Sequence, residues 1–217
     1  MHFPRSRMCR LVGCDDGDVP LTAGYSCSYA ESRRVEWQFH SERQWNPAGN
    51  TAMGVALMKD LMAHLKAYDW GGDRGLLCPI DEQIKAAQGD AGGLAKIEQA
   101  LLEVLDADVK VAAVDYICRQ LALVGTRRAV PALVRLLQDD GLYDRALYAL
   151  EAIPEESAGE ALRTALPLAG GNLRVGIVNS LGERGDKKAV PALNALRGSS
   201  DTTLSSAVES ALRKIGP

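Results

Sequence analysis

Ala129-Val130-Pro131-Ala132-Leu133 recurs unchanged as Ala189-Val190-Pro191-Ala192-Leu193, sixty residues further along the chain. Just ahead of each copy stands a second short motif. Leu121-Ala122-Leu123-Val124-Gly125 is echoed by Leu150-Glu151-Ala152-Ile153-Pro154, Leu181-Gly182-Glu183-Arg184-Gly185 and Leu212-Arg213-Lys214-Ile215-Gly216, with leading leucines 29, 31 and 31 residues apart. Sixty residues is two such periods, so the pentapeptide match is not local bias. A period near thirty is the mark of stacked helical repeats, in which each unit buries its apolar stripe only against its neighbours.

The residues between the motifs read as helices. The first unit pairs Val109–Val124 with about Arg128–Gln138, and the second pairs about Leu142–Ile153 with Glu156–Leu166. The third pairs Leu173–Arg184 with Lys187–Leu196, and Thr202–Ile215 supplies a final helix without a partner. Pro131 and Pro191 fall near helix starts, where a missing N–H costs little. In the middle unit Ala158-Gly159-Glu160-Ala161-Leu162 takes the corresponding place without the proline. Thr126, Asp186 and Asp90 each follow a glycine and are placed to cap the next helix. Gly125, Gly185 and Gly216 sit where a left-handed C′ residue is expected. Asp106 and Asp108 are placed to cap the helix from Val109.

Upstream, Val55, Met58, Leu61, Met62 and Leu65 fall on one face of a helix ending near Tyr68. Gly71-Gly72-Asp73-Arg74-Gly75 reads as a turn. A short helix begins at Pro79, and Leu94, Ile97, Leu101, Leu102 and Leu105 mark another. Tyr68 and Trp70 are expected to cover the open end of the repeats. Residues 1–50 carry no sustained period, and Val35–Phe39 alternates as a strand would but has no partner nearby. That segment is expected to be irregular or poorly ordered, with a repeat domain over 51–217.

Composition supports an all-α reading. Apolar residues make up 47% of the chain but aromatics only 5%, so Ala, Leu, Val and Ile supply the packing. A net charge of −3 disfavours non-specific nucleic-acid binding. No run of apolar residues is long enough for a membrane span, and no secretory h-region opens the chain, so a cytoplasmic location is expected.

Catalytic and metal motifs do not emerge. The three histidines, His2, His40 and His64, form no helical zinc pair. Cys9, Cys14, Cys27 and His40 are separated by 5, 13 and 13 residues, unlike the close pairs of a zinc knuckle. The glycine-rich stretch at Gly71 lacks the Lys-Ser/Thr of a phosphate loop. No metal, cofactor or catalytic residue is expected, and Cys118 reads as a small buried hydrophobe.

The Gly-[Thr/Asp] step, the Ala-Val-Pro-Ala-Leu segment and the leucines around them resemble bacterial HEAT-like repeats, closest to the short subfamily named after phycobilisome bilin lyases. Leu173 through Leu196 follows that unit closely and Val109 through Leu137 follows it well. Residues 76–106 follow it faintly, and residues 52–70 look like a leading helix of the same set. The resemblance implies a right-handed α-α superhelix of four to five units. It implies no lyase chemistry, because the shared positions are core, turn and cap positions.

In such arrays the second helices line the concave face, where extended partners bind. There Val130, Leu133 and Leu137 point inward, while Arg128, Ala132 and Arg135 share the opposite face by their spacing. Lys188, Ala192 and Ala195 repeat the pattern, and Arg163 lies nearby. Arg128, Arg135, Arg163 and Lys188 are therefore the candidate partner-binding residues, suited to an acidic peptide or loop. The plainer reading is a solvated helical face offset by Asp139, Asp140, Glu155, Glu156 and Glu160. Arg119 and Asn179, each two residues before a motif leucine, are expected to bond neighbouring turn carbonyls.

The expected function is a non-enzymatic protein–protein interaction scaffold. Two other readings stay open: a subunit or relative of a bilin lyase or other modifying enzyme, and an accessory fragment of a larger protein. A final helix without its partner is expected to leave an apolar flank that favours self-association through the C-terminal repeat.

Overall fold

The computed structural model describes residues 52–216, with side chains from Met58 onward. The readings of residues 1–50, including Val35–Phe39, Cys9, Cys14, Cys27, His2 and His40, lie outside the described residues, as does the side chain of Val55. Within the described residues the chain is all-helical. Its α-helices are α1 (Ala52–Ala67), α2 (Cys78–Ala86), α3 (Ala91–Leu105), α4 (Val111–Val124) and α5 (Val130–Leu136). They continue as α6 (Tyr143–Ala152), α7 (Glu156–Ala165), α8 (Gly171–Glu183), α9 (Val190–Leu196) and α10 (Thr202–Ile215). Short 3₁₀ turns at Arg74–Leu77 and Lys187–Ala189 lead into α2 and α9.

The repeat read from the leucines is the order in which helices meet. The first helices pack in succession, α4 on α6, α6 on α8 and α8 on α10. The second helices lie beside them: α5 against α6 and α7, α7 against α6 and α8, α9 against α10. Three of the four motif leucines, Leu121, Leu150 and Leu181, are wholly buried, as are Leu133, Leu162 and Leu193 of the second helices. Burying one such side chain contributes about 1.5–3 kcal/mol. One apolar core cluster runs from Leu61 to Ile215, so each unit is held by the next.

The caps follow the chemistry of the sequence. Asp90 accepts from Gly92 N at 3.0 Å, Thr126 Oγ1 from Arg128 N at 3.3 Å and Asp186 from Lys188 N at 3.0 Å. Asp90 thereby caps α3 and Asp186 the 3₁₀ turn that leads into α9, while Thr126 satisfies an N–H in the turn ahead of α5. Pro131 and Pro191 sit in the first turns of α5 and α9. The middle unit, which lacks the proline, is the least satisfied. No side chain caps α7, and Glu155 Oε2 and Ser157 Oγ at its start are buried without a hydrogen-bond partner.

Several expectations are corrected. α4 begins at Val111 behind Lys110, with no side-chain cap; Asp106 pairs instead with Arg135. Gly185 has the left-handed φ expected of it (62°), but Gly125 is extended at φ −66°. At Gly125 the constraint is space, since a Cβ would collide with the Leu121 carbonyl and lie 3.0 Å from Ile153 Cδ1. Trp70 does not cover the repeats: it is 60% exposed, while Tyr68 packs partly against the core.

The last helix leaves no apolar flank. α10 turns Leu204, Ala207, Val208, Ala211 and Ile215 inward and presents Thr202, Thr203, Ser206, Glu209, Arg213 and Lys214 outward. A solvated helix has this pattern. The helix fits closely because Gly182 has no side chain: a Cβ there would lie 2.7 Å from Ala211 Cα.

Candidate binding surfaces

The four cations expected to form a ridge are all engaged within the chain. Arg128 Nη2 donates to Gln99 Oε1 at 3.0 Å, and Arg135 Nη2 pairs with Asp106 Oδ1. Both partners belong to α3 or its end, one unit earlier. Lys188 Nζ reaches Glu156 Oε1 at 2.8 Å, and Arg163 Nη2 reaches the same oxygen at 2.6 Å. Arg163 also pairs with Asp186, whose carboxylate is 8% exposed. The Lys188 and Arg163 hydrogen bonds hold the Glu156 carboxyl below its usual range. Val130, Leu133 and Leu137 are buried as expected. Ala132 is buried too, at 7%, so it does not share the exposed face with Arg128 and Arg135. Helix α5 is short and packs on both α6 and α7, which covers that position.

Behind the ridge lies a set of polar clasps that the sequence motifs do not announce. Glu98 of α3, fully buried, accepts from Thr126 N at 2.7 Å and from Thr126 Oγ1 at 2.9 Å. Glu98 stands eight residues after Asp90, and Arg163 stands eight after Glu155, so the two occupy equivalent positions. Arg163 clasps Asp186 as Glu98 clasps Thr126. Each clasp ties a second helix to the turn of the next unit.

Arg119, expected to bond a turn carbonyl, bonds Asp115 instead, and the carbonyls of the α6–α7 turn are bound by Arg184. Arg184 Nη1 donates to the carbonyls of Leu150 (2.7 Å), Glu151 (3.1 Å) and Ile153, and its Nη2 to Glu155 O at 3.0 Å. A cation there also suits the negative end of α6. Burial holds the Arg184 guanidinium below its ordinary range. A second long-range link joins α2 to α4: Tyr116 OH donates to Asp81 Oδ1 at 2.8 Å, and Gln120 Nε2 to the same oxygen at 3.0 Å.

Arg119 lies instead on the wall of a cleft between α4 and α6. The cleft encloses about 250 Å³ and is lined by Asp115, Cys118, Arg119, Asp144, Arg145 and Tyr148. Arg119 Nε donates to Asp115 Oδ2 at 2.8 Å. Arg145 Nη1 donates to Asp144 Oδ1 at 2.8 Å and Gly141 O at 2.9 Å. Its Nε stands 3.3 Å from Asp115 Oδ1 without the alignment of a hydrogen bond. Burial pushes the Cys118 thiol up to about 12, so it is a poor nucleophile at neutral pH.

Aligning the motif leucines would have found this cleft. Asp115 and Asp144 each lie six residues before one, and Arg119 and Tyr148 each lie two before. Like positions on adjacent first helices face each other across the same groove.

No family model matches this chain, and no curated protein matches it. Among the described residues, no helix is long and apolar enough to cross a membrane.

Proposed function

We propose that this chain is a non-enzymatic protein-interaction scaffold, built as a right-handed superhelix of HEAT-like units. The observation that carries this reading is the packing order. First helices meet first helices from α4 to α10, the turns at Thr126 and Asp186 are tied to the unit before, the turn at Ile153–Glu155 is bound by Arg184 of the unit after, and regular positions are spent on core, turn and cap. Such a construction leaves function to the exposed residues that differ between units, the situation of helical repeats that bind extended partners.

On this reading the ridge of Arg128, Arg135, Arg163 and Lys188 meets an acidic partner in competition with acids and amides of the chain itself. Gln99, Asp106, Glu156 and Asp186 already hold those cations. Exposed pairs of this kind are each worth about 0–1 kcal/mol, so the exchange is nearly free of cost at Arg128, Arg135 and Lys188. Arg163, 19% exposed, is the one committed to structure.

Affinity capture with the full-length chain, wild type against Arg128→Glu with Arg135→Glu, tests the reading. A stoichiometric partner held by the wild type and lost by the double variant, at unchanged circular dichroism, is expected. A partner held equally by both moves recognition off the ridge. Recovery of no stoichiometric partner rejects the scaffold reading.

A further inference from the structure

The α4–α6 cleft combines a space of about 250 Å³, more than enough for one side chain, with hydrogen-bond donors that the fold leaves unused. Arg119 commits only its Nε, to Asp115, and its side chain is 60% exposed. Among the described residues its two terminal nitrogens make no hydrogen bond, and neither does the hydroxyl of Tyr148, a residue 55% exposed. One turn further along α4, Leu123 is 68% exposed, and Ala152 of α6, at the position equivalent to Leu123, is exposed as well. The surface therefore runs from two charged pairs, past a free guanidinium edge and a phenol, to a small apolar step.

We propose that this cleft receives one carboxylate side chain, Glu or Asp, of a protein partner. The terminal nitrogens of Arg119 and the Tyr148 hydroxyl hold the carboxylate, and a neighbouring apolar side chain of the partner rests on Leu123 and Ala152. This rests on the scaffold reading and names the recognised chemistry and its place, on the first helices rather than on the second-helix ridge. With its Nε held by Asp115, the guanidinium is fixed and offers the planar pair of donors that matches a carboxylate.

The walls argue against other occupants. Asp115 and Asp144 balance Arg119 and Arg145, so a doubly charged phosphate is repelled by the two acids more strongly than a singly charged carboxylate, whose attraction is the local one of the unused Arg119 donors. Arg145 is 23% exposed, with its Nη1 held by Asp144 and the Gly141 carbonyl and Asp115 beside its Nε, so Arg119, 60% exposed, is the guanidinium the cleft offers outward. Cys118 on the wall, 1% exposed with its thiol held protonated, supplies no nucleophile.

The test pans a displayed library of random peptides against the immobilised full-length chain. Enriched sequences are then made as fluorescein-labelled peptides and titrated by anisotropy. Selected peptides should carry Glu or Asp within a few residues of Leu, Ile or Phe. Arg119→Glu should weaken them about tenfold or more, the loss of one charge-assisted contact. Replacing the peptide's acidic residue with Lys should restore binding to that variant. Tyr148→Phe and Leu123→Ser, which touch no internal pair, should each weaken binding by a smaller factor. Peptides that lack acidic residues, or that bind Arg119→Glu as tightly as the wild type, would overturn the proposal. If instead only Arg128→Glu with Arg135→Glu abolishes binding, the cleft assignment fails while the scaffold reading stands. If no peptide is enriched over the unselected library, both fall.

Discussion

Replacing Arg184 tests the claim that one side chain completes the end of its neighbour's first helix. Arg184 stands where the other units have Val124, Ile153 and Ile215, so the repeat pattern asks for an apolar residue. The structure gives it four carbonyl acceptors, on Leu150, Glu151, Ile153 and Glu155. Hydrogen bonds to a charged group contribute about 1.5–3 kcal/mol each. Here three acceptors share one nitrogen, and water reaches part of the site once the guanidinium is gone. Arg184→Met, which keeps the aliphatic stem, should therefore cost about 2–4 kcal/mol rather than the sum. For a chain of this length that is a fall of about 5–15 °C in Tm. Thermal melting followed by circular dichroism measures it, with urea titration showing a lower midpoint at unchanged slope. Arg184→Ile separates the explanations, because it restores the repeat's own residue type. If Arg184→Ile is as stable as the wild type, the position supplies packing and the carbonyl argument is wrong.

Cys78 is exposed and Cys118 buried, so at pH 8 iodoacetamide should label Cys78 in the native chain. With its thiol pushed up to about 12, Cys118 has a thiolate fraction of about one in ten thousand at that pH; peptide mapping should find it labelled only after denaturant is added, and rapid native labelling would refute its burial. Glu156 has a folded pKa below its ordinary value, chiefly through the Lys188 hydrogen bond and then that of Arg163. Its stabilisation is complete above the ordinary carboxylate range and is lost as pH falls through the lowered pKa. Glu156→Gln should therefore lower Tm at pH 7 by an amount that shrinks as the pH falls through the lowered carboxyl pKa, and a loss that stays the same across the acid titration would contradict the assignment. Thr126→Asp places a second carboxylate against buried Glu98 and should cost about 3 kcal/mol or more, whereas Thr126→Ser should be close to neutral. Equal urea midpoints for the two variants would remove the clasp from the account.

What was legible in the sequence is what repeats. Leucine spacing, Pro131 and Pro191, and the Asp90, Thr126 and Asp186 caps are local rules that act within a turn or two, and each lands where its chemistry puts it. The errors have longer-range causes. Asp106 reads as a cap by its position before α4, yet the partner that claims it is Arg135, one helix on. Ala132 reads as solvent-facing by spacing alone, but a seven-residue helix packed on two others has little outer face. Gly125 fits the pattern of a left-handed terminator and is kept instead by crowding, first from the Leu121 carbonyl and then from Ile153 of the next unit. The cleft was visible only by aligning Arg119 with Tyr148 and Asp115 with Asp144, since no single stretch of chain contains it.

The clasps show how a repeat built from near-identical units keeps them in order. Where α3 meets the following turn, the pair is a buried carboxylate with a hydroxyl and an N–H, Glu98 with Thr126. Where α7 meets its following turn, the same two positions hold a guanidinium and a carboxylate, Arg163 with Asp186. The apolar stripes of the units are alike, with a buried leucine at the same place in each: Leu121, Leu150 and Leu181. The clasps are not: set against Asp186, Glu98 would face a second carboxylate in a largely buried site, and Arg163 set against Thr126 would lose its anion. An unpaired buried charge costs several kcal/mol, a large share of the marginal stability of a folded chain. Leucine periodicity therefore makes the units stack, and the polar residues that break the periodicity decide which unit stacks on which.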